Sequence, residues 1–301
     1  MKQPNSRNKT TLLTMQTKES IAGWIFLMPA LVLMLLFVFY PMVSAGWISL
    51  HDWNMLGSME FTGLDNFKTL LQDQNWLKCL KRTGSYTLCY VPALYIMSLV
   101  LALIVHKIPK GSGFFRTAYF MPVILSSVVT GLIWKLMYDE RTGVINNIVS
   151  AFLGEKIPWL SSMKWAMPAV LIVHVWMQMG YYMIIFLAGL QDIPKEYYEA
   201  AQIDGANGWQ QFWHITMPNL ANTSVFVIIM SVINSFQAYD HIATLTDGGP
   251  ANATNLAVQY IYETAFSQYS MGYAASLALN LFVIILAFSL LMLKVMRTEK
   301  N

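Results

Sequence analysis

Long apolar stretches separated by shorter polar ones set the pattern of this chain. A membrane-spanning helix needs about 20 apolar residues in succession. Six stretches meet or approach that length, at residues 22–50, 86–105, 118–134, 165–190, 225–245 and 273–295. The pattern therefore predicts an all-α integral membrane protein with six transmembrane helices and both termini on the same side of the membrane.

One long polar stretch, residues 191–220, lies between the fourth and fifth predicted spans. Pro194 suits the first turn of a helix, because its missing N–H would be unpaired there anyway, so a helix is expected to run from it to residue 203. Gly205 then predicts a turn, since glycine accepts the left-handed backbone that ends many helices. A second short helix at 207–216 is expected to follow.

The composition agrees with a membrane protein and narrows the function. Of the 301 residues, 56% are hydrophobic and 12% are charged, against about 25% charged residues in a typical soluble domain. The net charge of +3 comes without any run of basic residues, which argues against nucleic-acid binding. Cys79 and Cys89 have no metal-binding spacing and are expected to be packing residues.

Basic residues in the short polar segments predict the orientation, because Lys and Arg favour the cytoplasmic side of a membrane. The N-terminal segment 1–21, the loop 106–117 and the tail 296–301 each carry at least two of them and are expected in the cytoplasm. The membrane domain then occupies 22–295. The number of spans places the stretch 191–220 in the cytoplasm as well. Its own charge does not support this placement, because it has one lysine and four acidic residues.

Polar side chains inside the fourth and fifth spans are candidates for binding a substrate. Polar groups at membrane depth usually face a cavity or another helix rather than lipid, and three of those in span four share one helical face by their spacing. A pore lining and hydrogen bonding between helices both remain open for them. The candidates are His174, Gln178, Tyr181, Asn234, Ser235 and Gln237.

No catalytic or nucleotide-binding constellation stands out in the sequence. The segment Gly111-Ser112-Gly113 lacks the lysine of a phosphate-binding loop, and no cluster of carboxylates suggests a magnesium site. The chain is therefore not expected to be an enzyme or to bind a metal or cofactor itself.

The stretch 191–220 carries a spaced motif. Glu199-Ala200-Ala201 is followed after three residues by Gly205, which comes directly after Asp204, then after nine by Ile215 and after two by Pro218. This resembles the EAA loop of permease subunits of binding-protein-dependent ATP-binding-cassette (ABC) importers. The resemblance implies a type I importer permease fold, also called MetI-like, with these seven residues forming a cytoplasmic helix that couples to the ATPase. A loop helix that merely joins two spans is the alternative.

Further segments are similar to the sugar branch of that family, the permeases of the maltose and glycerol-phosphate type. They are the prolines Pro29 and Pro41 of the first span, the outer segment 63–67 with sequence GLDNF, and the segment 246–250 with sequence TDGGP. The resemblance implies sugar contacts near Asn234 and Ser235. At Ala238 this chain departs from the amide of the maltose permease, which puts maltose itself in doubt.

The resemblance implies the function and the partners. The chain would be a multi-pass subunit in a bacterial cytoplasmic membrane that translocates a mono-, di- or oligosaccharide delivered by an extracytoplasmic binding protein. A second permease would complete a heterodimer, and two ATPase subunits would hydrolyse ATP with magnesium. The alternatives are a permease for a polyol, a permease for glycerol phosphate and an ATP-independent carrier. The uncharged candidate lining disfavours glycerol phosphate, because a phosphate would call for cationic groups.

Overall fold

The computed structural model describes residues 7–108 and 110–298, and most of them are helical. The helices are α1 Arg7–Met34, α2 Tyr40–Ile48, α3 Asp65–Gln72, α4 Gln74–His106, α5 Ser112–Ile124, α6 Ser127–Met137, α7 Val144–Leu153, α8 Ala166–Gln191, α9 Lys195–Ile203, α10 Gly208–Gln211, α11 Met217–Asn219, α12 Ala221–Phe236, α13 Asp240–Leu245, α14 Ala257–Tyr262 and α15 Met271–Thr298. Five-residue π-helical segments join α1 to α2, join α10 to α11 and extend α14, at Leu35–Phe39, Phe212–Thr216 and Glu263–Ser267. Two short strands, β1 His51–Asp52 and β2 Glu60–Phe61, pair antiparallel.

Four helical stretches in the described part are long and apolar enough to cross a membrane, and the number rises to six if each of two bent helix pairs counts as one span. The four are Glu19–Ile48, Gln74–His106, Ala166–Gln191 and Met271–Lys294. They agree with the first, second, fourth and sixth stretches expected from the hydrophobic pattern. Of the predicted end segments, residues 1–6 and 299–301 lie outside the described residues.

The third span is broken, so the expectation of one continuous helix at 118–134 was wrong. Its two halves, α5 and α6, meet at an angle of 97°. The backbone is extended at Leu125 and Ser126. Pro122 lies in the last turn of α5, where its missing N–H removes one hydrogen bond of that turn.

The fifth span also differs from the predicted 225–245. Its helix, α12, begins at Ala221 and ends at Phe236, and α11 and the elements before it meet α12 at 68°. The apolar positions that extended the prediction, Ile242 and Leu245, belong to the short helix α13 and are at most 1% exposed. Their hydrophobicity reflects burial in the protein core, not passage through lipid.

The core of the molecule lies between α4 and α8. Tyr90 and Leu94 on α4 meet Tyr182 and Phe186 on α8, and all four side chains are fully buried. The first span is the opposite case, because the most apolar part of 19–48 is 0% buried by the rest of the chain. That span must therefore face lipid or another protein.

A carboxylate joins three helices at one end of the core. Asp73 caps α4 by accepting hydrogen bonds from the N–H groups of Asn75 and Trp76, at 2.8 and 3.2 Å. Its other oxygen accepts from the hydroxyls of Tyr260 and Tyr273, at 2.7 and 2.6 Å. Partial burial by itself would raise the pKa of Asp73, but these four bonds outweigh it and lower the pKa. The carboxylate is thus charged at neutral pH.

Candidate functional site

The polar segment 191–220 forms two short helices around a tight turn. The first helix, α9, starts after Pro194 and ends before Gly205, whose φ of 80° lies in the left-handed region. The second begins with a capping box in which Asn207 and Gln210 each bond the other's backbone N–H, at 2.9 and 2.8 Å. The predicted helix, turn and second helix are all present, although the second helix widens into a π-helical segment after Gln211.

The motif residues of this segment gather around one open depression of about 320 Å³. Ala201, Asp204, Gly205 and Ile215 line it. Glu199, Ala200 and Pro218 are exposed nearby in the chain but do not line the depression.

Large apolar side chains also project from this segment. Ile203 is 86% exposed and Trp209 is 71% exposed. Such exposed apolar groups in a polar loop are typical of a docking surface. We call residues 195–219 the coupling segment, after the role that the sequence analysis expects for them.

The described side chains include a buried aromatic cluster in the core, at the point where α4, α8 and α13 meet. The hydroxyl of Tyr86 lies 2.6 Å from Nδ1 of His174 and 3.3 Å from Nε2 of His241. The two imidazole rings are 4.1 Å apart, and Tyr90 stacks on His174 at 4.2 Å. A phenol can donate one hydrogen bond and accept others, so a single hydroxyl can satisfy a ring nitrogen of each histidine.

The six candidate binding residues fall into two groups. His174 and Ser235 are buried, and each bonds a neighbouring helix: Ser235 lies 2.9 Å from the hydroxyl of Thr87 on α4. The other four are partly or fully accessible. They are Gln178, Tyr181, Asn234 and Gln237.

Three of the accessible candidates lie on α8 and α12, which a hydrogen bond joins at this point; the fourth, Gln237, follows the end of α12. Asn234 donates a hydrogen bond of 3.1 Å to the hydroxyl of Tyr182, and Tyr182 contacts the ring of Tyr181. Gln178 is one helical turn before Tyr182, on the same side of α8. We call Gln178, Tyr181, Tyr182 and Asn234 the α8–α12 patch, and it contains amides and hydroxyls without a charge.

The sequence analysis did not select Tyr86, Tyr182 or His241. Tyr86 and Tyr90 stand one helical turn apart in an otherwise apolar stretch, and this spacing was the available signal for a polar contact on α4. His241 gave no such signal, because its role depends on α13 folding back against α8. No group of three or more His, Cys, Asp or Glu residues is placed to hold a metal ion within the described ranges.

A tight turn follows α13 in the TDGGP segment. The N–H of Gly249 bonds the carbonyl of Thr246 at 2.9 Å, and Gly248 has a φ of 78°. The hydroxyls of Thr246 and Thr254 lie 2.8 Å apart across the turn. The turn borders an open polar cavity of about 500 Å³.

A family model matches residues 74–297, which include the core, the coupling segment and the α8–α12 patch. The chain belongs to the family of binding-protein-dependent transport system inner membrane components. It is therefore a multi-pass membrane subunit of a transport system and not an enzyme. The permease fold expected from the sequence is confirmed.

Curated relatives align with this permease over nearly their whole length. The probable ABC transporter permease protein YurN of Bacillus subtilis is 33% identical over 95% of this chain and 100% of its own. The lactose transport system permease protein LacF of Rhizobium radiobacter is 33% identical over 97% and 99%. The trehalose/maltose transport system permease protein MalF of Thermococcus litoralis is 32% identical over 94% and 96%.

A solved structure shares the fold of this permease. It is described as a bacterial ABC transporter involved in the import of the acidic polysaccharide alginate. One of its chains superposes with a TM-score of 0.83, covering 96% of this chain and 99% of that one at 21% identity. At that identity the likeness concerns the fold alone.

Proposed function

We propose that this permease translocates a sugar, a mono-, di- or oligosaccharide, that an extracytoplasmic binding protein delivers. The observation that carries the substrate class is the α8–α12 patch, because sugars present many hydroxyls and are bound by uncharged amides, hydroxyls and aromatic rings. The relatives named for lactose and for trehalose and maltose transport support it. A phosphorylated substrate would call for cationic groups, and the patch has none.

Three members of the patch, Gln178, Tyr181 and Asn234, are not buried by this chain, and a second, similar permease would cover them. The unburied first span, Glu19–Ile48, supports the same partner, since its apolar surface has no cover within the described chain. The functional unit would then be a heterodimer of permeases with two ATPase subunits. The ATPases would bind and hydrolyse ATP with magnesium, while this chain binds no cofactor.

The coupling segment is proposed to dock in the ATPase. Its depression and the exposed Ile203 and Trp209 form a polar and apolar surface on two short helices, the second of which begins with a capping box. A rigid projection of this kind can transmit a displacement, whereas a flexible loop would absorb it. This role requires the segment and both termini to lie in the cytoplasm.

Replacement of Gln178 by leucine tests the sugar site. Gln178 is accessible, and losing its amide would remove about one neutral hydrogen bond to the sugar, worth about 0.5–1.5 kcal/mol. We expect uptake of the preferred sugar, chosen from a labelled panel, to need a several-fold higher concentration for half-maximal rate. The amount of assembled complex should stay unchanged, because leucine is favourable in a membrane helix.

The Asn234→Leu variant should show a second effect. It loses the 3.1 Å bond to Tyr182 as well, so both the apparent sugar affinity and the yield of complex should fall. The control is Gln72→Leu, the same change at an exposed position outside the patch, which should match the parent. An unchanged affinity in the Gln178 variant would contradict the site, and uptake of glycerol phosphate instead of sugars would contradict the substrate class.

A further inference from the structure

A groove of about 620 Å³ runs along the outside of the core between α4 and α8. It is separate from the α8–α12 patch and from the coupling segment, and it lies near the end of α4 that Asp73 caps. Residues of α4 between Lys78 and Cys89 and residues of α8 between 167 and 172 line most of it.

The rim of the groove is cationic. Lys78, Lys81 and Arg82 stand three and four residues apart, so their side chains share one face of α4. The one ion pair recorded among the described residues joins Lys68 to Asp65, so none of the three rim cations is paired with a carboxylate. The guanidinium of Arg82 donates a weak hydrogen bond to the sulfur of Cys79, at 3.9 Å. Three positive charges therefore remain available to an anion.

The floor of the groove is apolar. Pro168, Leu171 and Ile172 of α8 line one side of it. Cys89 of α4 lies on the other side, is exposed, and comes 11 residues after Lys78. At about 1.5 Å per residue the groove extends roughly 16 Å down α4 from its cationic rim. The apolar stretch of α4 begins near Tyr86, so the rim lies at the level of lipid headgroups and the floor at the level of acyl chains.

We propose that this groove binds an anionic phospholipid, with its phosphate held by Lys78, Lys81 and Arg82 and an acyl chain lying along Leu171 and Ile172. A phosphate accepts charge-assisted hydrogen bonds from lysine and arginine, and basic pockets between membrane helices bind acidic headgroups. A sugar would leave the apolar floor unfilled and would not need the cations. The site therefore matches a molecule that is anionic at one end and apolar at the other.

Cys89 provides a reporter inside the groove. It is exposed, whereas Cys79 is 3% exposed, so a benzophenone maleimide should label Cys89 in the purified transporter. The labelled complex is reconstituted in nanodiscs that contain phosphatidylglycerol and phosphatidylcholine in equal amounts in both leaflets. After illumination, mass spectrometry identifies the adducts. We expect phosphatidylglycerol adducts to exceed phosphatidylcholine adducts about five- to tenfold.

Charge variants identify the groups responsible. The pair Lys81→Gln with Arg82→Gln should return the adducts to the equal ratio of the bilayer. The control pair Lys156→Gln with Lys164→Gln makes the same charge change at exposed positions that do not line the groove, and it should keep the preference. An equal lipid ratio in the parent, or adducts on a peptide of the second permease, would overturn the proposal. Sugar uptake is not measured here, so the outcome is independent of the substrate class.

Discussion

The hydroxyl of Tyr86 serves two buried histidines at once. In the Tyr86→Phe variant, His174 and His241 each lose a hydrogen-bond partner, and both side chains are buried. A buried group left without its partner costs about 1–3 kcal/mol, so we expect a lower midpoint of thermal unfolding for the purified protein. The control is Tyr269→Phe, which removes the same atom from a side chain that is 56% exposed. Equal midpoints for the two variants would contradict the role of the hydroxyl.

For single residues, the sequence could suggest which polar side chains share a helical face, but not which of them are buried. His174, Gln178 and Tyr181 lie on one side of α8, as their spacing predicted, yet His174 is buried and Tyr181 is 38% exposed. The difference arises because Tyr86 of α4 and His241 of α13 pack against His174. The ring contact of Tyr181 is to its neighbour Tyr182. Only the tertiary structure places α13, so a helical spacing cannot separate a packing residue from an accessible one.

Gly205 is needed in the turn of the coupling segment because of its backbone conformation. There is room for a side chain at this position. No atom lies within 4 Å of a Cβ built there, and its φ is 80°. We therefore expect Gly205→Val to abolish sugar uptake, because β-branched residues resist this conformation, whereas Gly205→Asn should retain most of it, since asparagine tolerates left-handed backbone. Uptake and co-purified ATPase are measured together. Equal loss in both variants would indicate a clash with the ATPase instead of strain in the turn.

Gly180 illustrates the opposite case. A Cβ at this position would overlap the carbonyl oxygen of Tyr119 on α5, so the two helices approach as closely as glycine allows. Gly180→Ala should push α5 away from α8 and lower the yield of folded protein in the membrane. Gly84→Ala is the control, because nothing lies within 4 Å of a Cβ on that glycine of α4. Equal yields would show that α5 can shift without cost.

Long, uniformly apolar helices were predictable at the scale of elements, and broken ones were not. The hydrophobic pattern located α8 within one residue at each end. It missed the 97° bend between α5 and α6, because hydrophobicity reports where a segment lies and not whether its backbone is continuous. Pro122 was a visible warning, but a proline inside a membrane helix does not always break it, as Pro92 within α4 shows.

The orientation of the whole molecule can be tested with single cysteines in a variant that lacks Cys79 and Cys89. Cysteines at Ser112 and Asn207 should be protected from a membrane-impermeant thiol reagent in intact cells, and one at Gln268 should react. Gln268 is exposed and lies just before the last span, at its end opposite the predicted cytoplasmic tail. Labelling of Asn207→Cys from outside would contradict both the orientation and the coupling role.

The long-range contacts of Asp73 can form only late in the synthesis of the chain. Two of its hydrogen-bond partners lie 187 and 200 residues further along the chain, and nearby Trp76 bonds Asn280, 204 residues away. The N-terminal part of a chain is synthesised first. The start of α4 therefore lacks these partners until almost all the rest of the chain has been made. Tyr273 and Asn280 arrive with α15. A chain that stops before its last helix would lack the bonds from Tyr273 to Asp73 and from Trp76 to Asn280. An incomplete chain would therefore differ from a complete one at this end of α4.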